Sequence, residues 1–334
     1  MATDVALDIG TSFCRVATAE QGVLFNEPST VAIDTRSGDV VEVGYGAMDL
    51  VARTSRHVVA FRPLAQGATI DFDVTARLLA GLMERAGISK VSRVRAVMSV
   101  PSLATAIERR ALRQAAVQAG AREVSLIESP LAAAIGLGLP VQDPVGSAVT
   151  VLGAGASEAT LISLGGIVTK GTRRLGGSDL DHAIATVIRQ RYGVVVAPSA
   201  VEHLKIALAS ALGRTSGQSE VVGARTVERG EPVEVTVTAD LVNDAIRDGV
   251  ASTVTMVQDS LAEAPPDLSQ DVSARGMTLV GAHARLRDLA ELIETKTGVD
   301  VRVAPEPDLV IIRGLQMCLE EMSSLHALFR DADR

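Results

Sequence analysis

Ser147-Ala-Val-Thr-Val-Leu-Gly-Ala-Gly-Ala-Ser-Glu-Ala-Thr-Leu-Ile-Ser-Leu-Gly-Gly166 is the stretch whose reading decides the fold. Apolar and β-branched residues flank Gly153-Ala-Gly155 on both sides, the pattern of a strand, a tight turn and a returning strand. The N-terminus carries the same shape in Val5-Ala-Leu-Asp-Ile-Gly-Thr-Ser-Phe-Cys-Arg-Val16. Each hairpin opens one half of the chain, which predicts a duplicated fold whose halves face one another. A turn of small residues lets backbone N–H groups come close to an anion, so either hairpin is able to cradle a phosphate. Taken singly, each reads equally well as an ordinary β-hairpin with a glycine turn.

The 334 residues are too many for one typical domain and suit two lobes. Apolar residues make up 47% of the chain and aromatics only 2%, so the cores are built from Val, Leu, Ile and Ala. A net charge of −8 argues against a general nucleic-acid-binding surface. Lysine occurs only at positions 90, 170, 205 and 296, which leaves Lys205 conspicuous. Cys14 and Cys318 are too few for a disulfide framework and are not spaced as a metal site. The chain runs directly into a strand, shows no signal-peptide pattern and has no apolar run long enough to span a bilayer; the expected location is the cytoplasm.

Periodicity places helices at Asp73–Arg85, after Thr105, at Ala239–Ala262, at Arg285–Thr297 and at Leu309–Glu321. Thr105-Ala-Ile-Glu108 and Ser199-Ala-Val-Glu202 read as capping boxes, and Ser129-Pro130 as an N-cap followed by proline at the first helical position. Gln142-Asp-Pro-Val-Gly146 is the expected lobe boundary.

Asp8-Ile-Gly-Thr11 followed by a Gly-x-Gly hairpin resembles the two phosphate loops of the actin/DnaK/sugar-kinase superfamily. Asn26-Glu-Pro-Ser29, Arg62-Pro-Leu64, Asp71-Phe-Asp-Val-Thr75, Ser99-Val-Pro101 and Glu108-Arg-Arg110 fall in the order of the MreB/Mbl-type bacterial actins. So do Leu126-Ile-Glu128, Ala132-Ala-Ala-Ile-Gly136, Ile162-Ser-Leu-Gly-Gly166, Leu175-Gly-Gly177, Glu202-x-x-Lys205-Ile206 and Ala264-Pro-Pro266. The resemblance spans essentially the whole chain. It implies an α/β, actin-like ATPase fold: two lobes of duplicated ribonuclease-H-like topology, each with a small peripheral subdomain. Lobe I would be 1–145 with a C-terminal helix at 308–330 and its subdomain near 31–65. Lobe II would be 146–307 with its subdomain near 182–240.

The resemblance also implies a site for ATP and Mg²⁺ between the lobes. Asp8 would hold the metal through water, and Gly10, Thr11, Ser12, Gly153 and Gly155 would line the phosphates. Glu202 and Lys205, three apart on one helical face, would bracket the adenosine, with Gly281 behind it. A capping-box role competes for Glu202. His283 stands where a third glycine is expected; it can stack on a base, fill the pocket or point to solvent, and solvent is the expectation for a lone histidine.

Three positions depart from the family where its chemistry lies. Val151 replaces an aspartate that helps place the metal and the attacking water, while Ala156 and Ser129 replace a threonine and a glutamate that position that water. Loss of one such group costs on the order of 10²–10³ in rate, and efficient hydrolysis is not expected. The resemblance thus implies a cell-shape protein that forms filaments and organises wall synthesis, with weakened nucleotide binding and no effective turnover. Its implied partners are its own copies and cell-wall elongation or morphogenesis proteins, with no nucleic acid. Alternatives are an active ATPase in which His283 or Glu158 substitutes for the missing groups, and a non-polymerising adaptor. Ile88 and Val91, in the loop where such proteins often meet membranes, bury too little area for firm anchoring, so membrane association would be weak or run through partners.

Overall fold

The computed structural model describes residues 3–53, 57–88 and 94–320. The chain opens with a meander of β1 (Thr3–Ile9), β2 (Phe13–Thr18) and β3 (Gly22–Pro28). A small outgrowth follows: β4 (Val31–Asp34), β5 (Val40–Val43), α1 (Gly44–Arg53) and β6 (Val58–Phe61), with strand order β5-β4-β6. The ribbon β7 (Leu64–Ala65) and β8 (Ala68–Thr69) returns the chain to α2 (Phe72–Arg85). Then come β9 (Val94–Val100), α3 (Ala106–Ala119), β10 (Ala121–Glu128) and α4 (Ser129–Gly136).

The second half repeats this plan. Its meander is β11 (Ser147–Leu152), β12 (Ser157–Ser163) and β13 (Gly166–Arg173), followed by α5 (Gly177–Tyr192). Its outgrowth is β14 (Val194–Val196), α6 (Pro198–Leu208), β15 (Ser219–Thr226) and β16 (Pro232–Thr238). It closes with α7 (Ala239–Ala262), α8 (Pro266–Arg275), β17 (Met277–Val280), α9 (Leu289–Thr297), β18 (Val301–Val303) and α10 (Val310–Glu320). The main sheets run β10-β9-β1-β2-β3 and β13-β12-β11-β17-β18. In each, an antiparallel meander continues into two parallel strands, so one sheet maps strand for strand onto the other.

The two sheets exchange helices. α4 follows the last strand of the first sheet yet packs on β11 and β12; α10 follows the last strand of the second yet packs on β1, β2 and β9. The two helices also pack on each other where Gly136 and Gly314 face one another's backbones, and a Cβ on Gly314 would sit deep inside the Ala132 carbonyl oxygen. A shared core results, in which Ala6 and Val97 of one sheet and Val149, Val151 and Val280 of the other enclose Ala132, Ile135, Ile312 and Leu315. This core fixes the lobes' relative placement beneath the two glycine turns.

Local chemistry explains most helix starts. The Asp71 side chain accepts from the Val74 N–H at 2.9 Å, and Thr105 and Glu108 form the expected capping box. Two starts differ from the sequence reading. Glu128, not Ser129, is the N-cap of α4, and its carboxylate is taken by Arg109 at 2.6 Å rather than by the helix end. Proline in the first turn of α6 begins that helix at Pro198, so its N-cap is Ala197 and no Ser199–Glu202 capping box forms. The helix expected over 285–297 is split: a 3₁₀ turn spans Ala282–Arg285 and α9 begins at Leu289, after Asp288 at φ +64°. Ile88 is buried in the first lobe's core, which removes it as a membrane contact; Val91 and the expected helix beyond residue 320 lie outside the described residues. No helix among the described residues is long and apolar enough to cross a membrane.

Candidate functional site

The two glycine turns are built alike and meet. In each, the first glycine N–H closes the turn: Gly10 donates to the Phe13 carbonyl at 3.0 Å and Gly153 to the Ala156 carbonyl at 2.9 Å. Gly155 lies against the Thr11 hydroxyl, and a Cβ there would also approach the Gln66 amide nitrogen to 2.8 Å, so only glycine fits. Thr11 Oγ1 in turn accepts from the Gly67 N–H at 3.1 Å. Further contacts tie the lobes around this point: Ser12 Oγ lies 3.2 Å from Ser178 Oγ, and Arg174 donates to the Glu108 carboxylate at 2.8 Å and to the Gln66 carbonyl at 3.1 Å. Among the described residues the N–H groups of Thr11, Ser12, Ala154 and Gly155 carry no intramolecular hydrogen bond and are available to an anion.

Two joined cavities open from these turns. The inner one, of about 120 Å³, is lined by Asp8, Arg15, Ser99, Ser129, Val151 and Glu158. The outer one, of about 470 Å³, is lined by Ser178, Asp181, Glu202, Lys205, His283 and Arg285, and it shares Ser12, Phe13, Arg15, Gly153 and Ala154 with the first. The outer volume falls among those of small-molecule sites, about 300–1,000 Å³. Gly281, at φ +91° and pressed on the Leu152 backbone, lines the inner cavity, and Ala282 after it lines both. The sequence-predicted residues therefore line one continuous cleft.

Within the cleft several side chains are already engaged. Asp8 is buried, with Oδ2 accepting from Arg15 Nη1 at 3.0 Å and Oδ1 from Ser99 Oγ at 2.7 Å. Arg15 stands directly across the hairpin from Asp8, in the register that pairs Val151 with Glu158 in the other hairpin. Its Nε is buried without a partner, and its guanidinium carbon lies 5.9 Å from the centre of the Phe13 ring. Lys205 Nζ donates to the Gly177 carbonyl at 3.0 Å and to Asp181 at 2.8 Å. Burial raises the Asp181 acid despite that lysine. Glu202 is exposed at the cleft rim.

Val151 belongs to the shared core between the lobes, Ser129 is buried, and the Ala156 methyl packs on Gly67. None of the three presents a carboxylate to the inner cavity; Glu158 does. It is 1% exposed, and neither oxygen reaches hydrogen-bonding geometry with a donor among the described residues. Burial pushes its acid up to about 7, against the pull of the Ser102 and Leu103 amides and with the added push of the Glu128 carboxylate. His283 does not point to solvent: it is 7% exposed, with both ring nitrogens buried and unpartnered. Burial and the Lys205 charge push it down to about 4, so it is a neutral imidazole with one unmet donor and one unmet acceptor in the wall of the outer cavity.

The cleft fits a nucleotide better than it fits a metal. The outer cavity offers unpartnered polar edges, and the turns offer free amides, as a nucleoside phosphate requires. The inner cavity's metal candidate, Asp8, has both oxygens engaged, one by a cation. Among the described residues no group of three or more His, Cys, Asp or Glu side chains comes together as a metal cluster. The sequence reading missed Arg15, Ser99 and Asp181. The signal for Arg15 was available: in both hairpins the residues seven apart, 8 with 15 and 151 with 158, face each other across the turn.

The family model for the MreB/Mbl protein matches residues 2–327. The cell shape-determining protein MreB of Escherichia coli strain K12 is 37% identical over 329 residues, covering 97% of this chain and 94% of that protein. The crystal structure of MreB5 of Spiroplasma citri bound to ADP superposes with a TM-score of 0.87 at 24% identity, covering 98% of each chain. The double helical filament of MamK superposes with a TM-score of 0.79 at 19% identity, covering 96% of this chain and 99% of that one.

Proposed function

This chain belongs to the MreB/Mbl family, and from that premise we propose that it is a filament-forming cytoskeletal protein that organises cell-wall synthesis and cell shape, holding a nucleotide in its cleft without effective hydrolysis. The observation that carries the reading is the whole-length match joined to a cleft whose turns keep free amides, while positions 151, 129 and 156 hold valine, serine and alanine. The ADP of the Spiroplasma citri relative and the filament of MamK supply precedents for ligand and assembly. In this reading His283 meets the base edge, and Glu202 and Lys205 flank the sugar. The bodies that close on the nucleotide are 1–145 with the C-terminal helix, and 146–307.

Sedimentation of the pure protein across concentration, salt and lipid tests assembly. Polymers or an oligomer wider than a dimer are expected; a strictly monomeric protein under all these conditions would leave the adaptor reading in its place. One observation favours a second reading. Glu158 presents to the inner cavity a carboxyl group that titrates near neutrality, as a general base for water would. Phosphate release separates the two. Turnover at background supports the first reading, whereas turnover that Glu158→Gln abolishes supports an active ATPase.

A further inference from the structure

We propose that Arg15 is a built-in cation in the phosphate end of the cleft, so that the site takes nucleoside di- or triphosphates as free anions, without a divalent metal. The inference rests on the nucleotide reading above and concerns what neutralises the phosphates.

The guanidinium uses one nitrogen, Nη1, for Asp8. Its Nε is buried without a partner, no other hydrogen bond of the group occurs among the described residues, and it lines both cavities where they join. Unmet donors on a buried cation call for an acceptor, and Arg15 belongs to the lining of the cleft at the point where its two cavities meet. Thr11, Ser12, Ala154 and Gly155, whose amides are free, line the same inner cavity as Arg15. The planar fork of a guanidinium suits a phosphate's paired oxygens.

The charge balance agrees. In the arrangement expected for the family, two aspartates and a divalent cation sum to zero. Here Val151 removes one carboxylate, and Asp8 with Arg15 again sums to zero, with no metal in the account. The other acids at the inner cavity add little: Glu158 is held toward its neutral form, and Asp308 is paired with Arg285. A divalent ion placed on Asp8 would have to displace or lie beside a like-charged guanidinium that already holds the carboxylate at 3.0 Å. Val151 and Arg15 thus act together, one removing the metal's second anchor and the other supplying its charge.

The test is calorimetric titration of the full chain with ADP and with ATP, in excess Mg²⁺ and in EDTA. Wild-type Kd should agree between the two buffers within about threefold. Asp8→Asn separates the ideas by sign: a metal-holding aspartate predicts loss of binding, whereas release of the guanidinium predicts equal or tighter binding in EDTA. Arg15→Met in the Asp8→Asn background avoids a lone buried carboxylate and should weaken binding by at least about tenfold. Arg15→Lys should keep most of it. A wild-type protein that loses more than about tenfold in EDTA overturns the proposal and leaves the nucleotide reading standing. Unchanged binding by the Arg15→Met, Asp8→Asn protein overturns it too. No binding in either buffer overturns both.

Discussion

Glu158→Gln should stabilise the protein at alkaline pH, by an amount the structure sets. The ordinary carboxyl of this type titrates at 4.5, and burial moves Glu158 to about 7. Between those values the folded chain keeps a proton that the unfolded chain has released. Stability is therefore full below pH 4.5 and is lost as pH rises toward 7, a loss of about 3 kcal/mol that persists above it. Glutamine has nearly the same shape and cannot ionise, so the variant should gain about 3 kcal/mol over wild type at pH 8 and nothing at pH 4.

His283 works in the opposite direction. Its ordinary value of 6.5 falls to about 4, so the unfolded chain takes up a proton that the folded chain refuses. That contribution is full above pH 6.5 and is lost as pH falls toward 4, again by about 3 kcal/mol. The two groups line different cavities and share no electrostatic partner, so their effects should add. In the wild type their slopes cancel between pH 4.5 and 6.5. Glu158→Gln should expose a stability that rises with pH across this window, His283→Gln one that falls, and the double variant neither. Urea denaturation from pH 4 to 8 reads all four proteins. A Glu158→Gln protein no more stable than wild type at pH 8 would refute the reasoning, because it would mean that the carboxylate is ionised and well satisfied where it lies.

Gly314→Ala should cost about 3 kcal/mol or more in a thermal or urea melt, since its methyl would collide with the Ala132 carbonyl and push α4 and α10 apart; a melt within 1 °C of wild type would show that the helices slide freely. Val151→Asp with Ser129→Glu and Ala156→Thr should leave phosphate release at background and lower stability by roughly 3–5 kcal/mol, because one new carboxylate enters the shared core and both add to the acids Asp8 and Glu158 of a cavity whose guanidinium, Arg15, is already paired with Asp8; hydrolysis in that triple variant would show that the rest of the site is competent. With Ile88 buried, monomers mixed with anionic liposomes should remain in the supernatant after centrifugation, and monomers that pellet with the lipid would locate an anchor elsewhere.

Much of the fold was legible because it rests on signals that do not depend on tertiary contacts. Alternation and a glycine turn are enough to mark both hairpins, and α7 spans Ala239–Ala262 as its periodicity requires. The errors share a cause. At Ser129 and Ser199 a good capping residue sat beside a proline, but Arg109 claimed the Glu128 carboxylate and Pro198 began its helix two residues early. His283 was assigned to solvent on the habits of lone histidines, whereas the close approach of Gly281 to the Leu152 backbone draws the following turn inward. The site was legible as positions and not as charges. Asp8, Gly153, Glu202 and Lys205 could each be placed along the cleft from sequence order, but what Asp8 does depends on Arg15, and what Lys205 does depends on Asp181. Those pairings come from strand register in one case and from two helices packed side by side in the other. The first is recoverable from sequence by counting across a hairpin. Counting seven residues on from position 8 finds an arginine, and from position 151 a glutamate, so the same step identifies both the cation of the inner cavity and its carboxyl group pushed up to about 7. The duplicated turn is thus also a duplicated pair of sites: an ion pair in the first hairpin, and in the second a lone acid whose partner position holds valine.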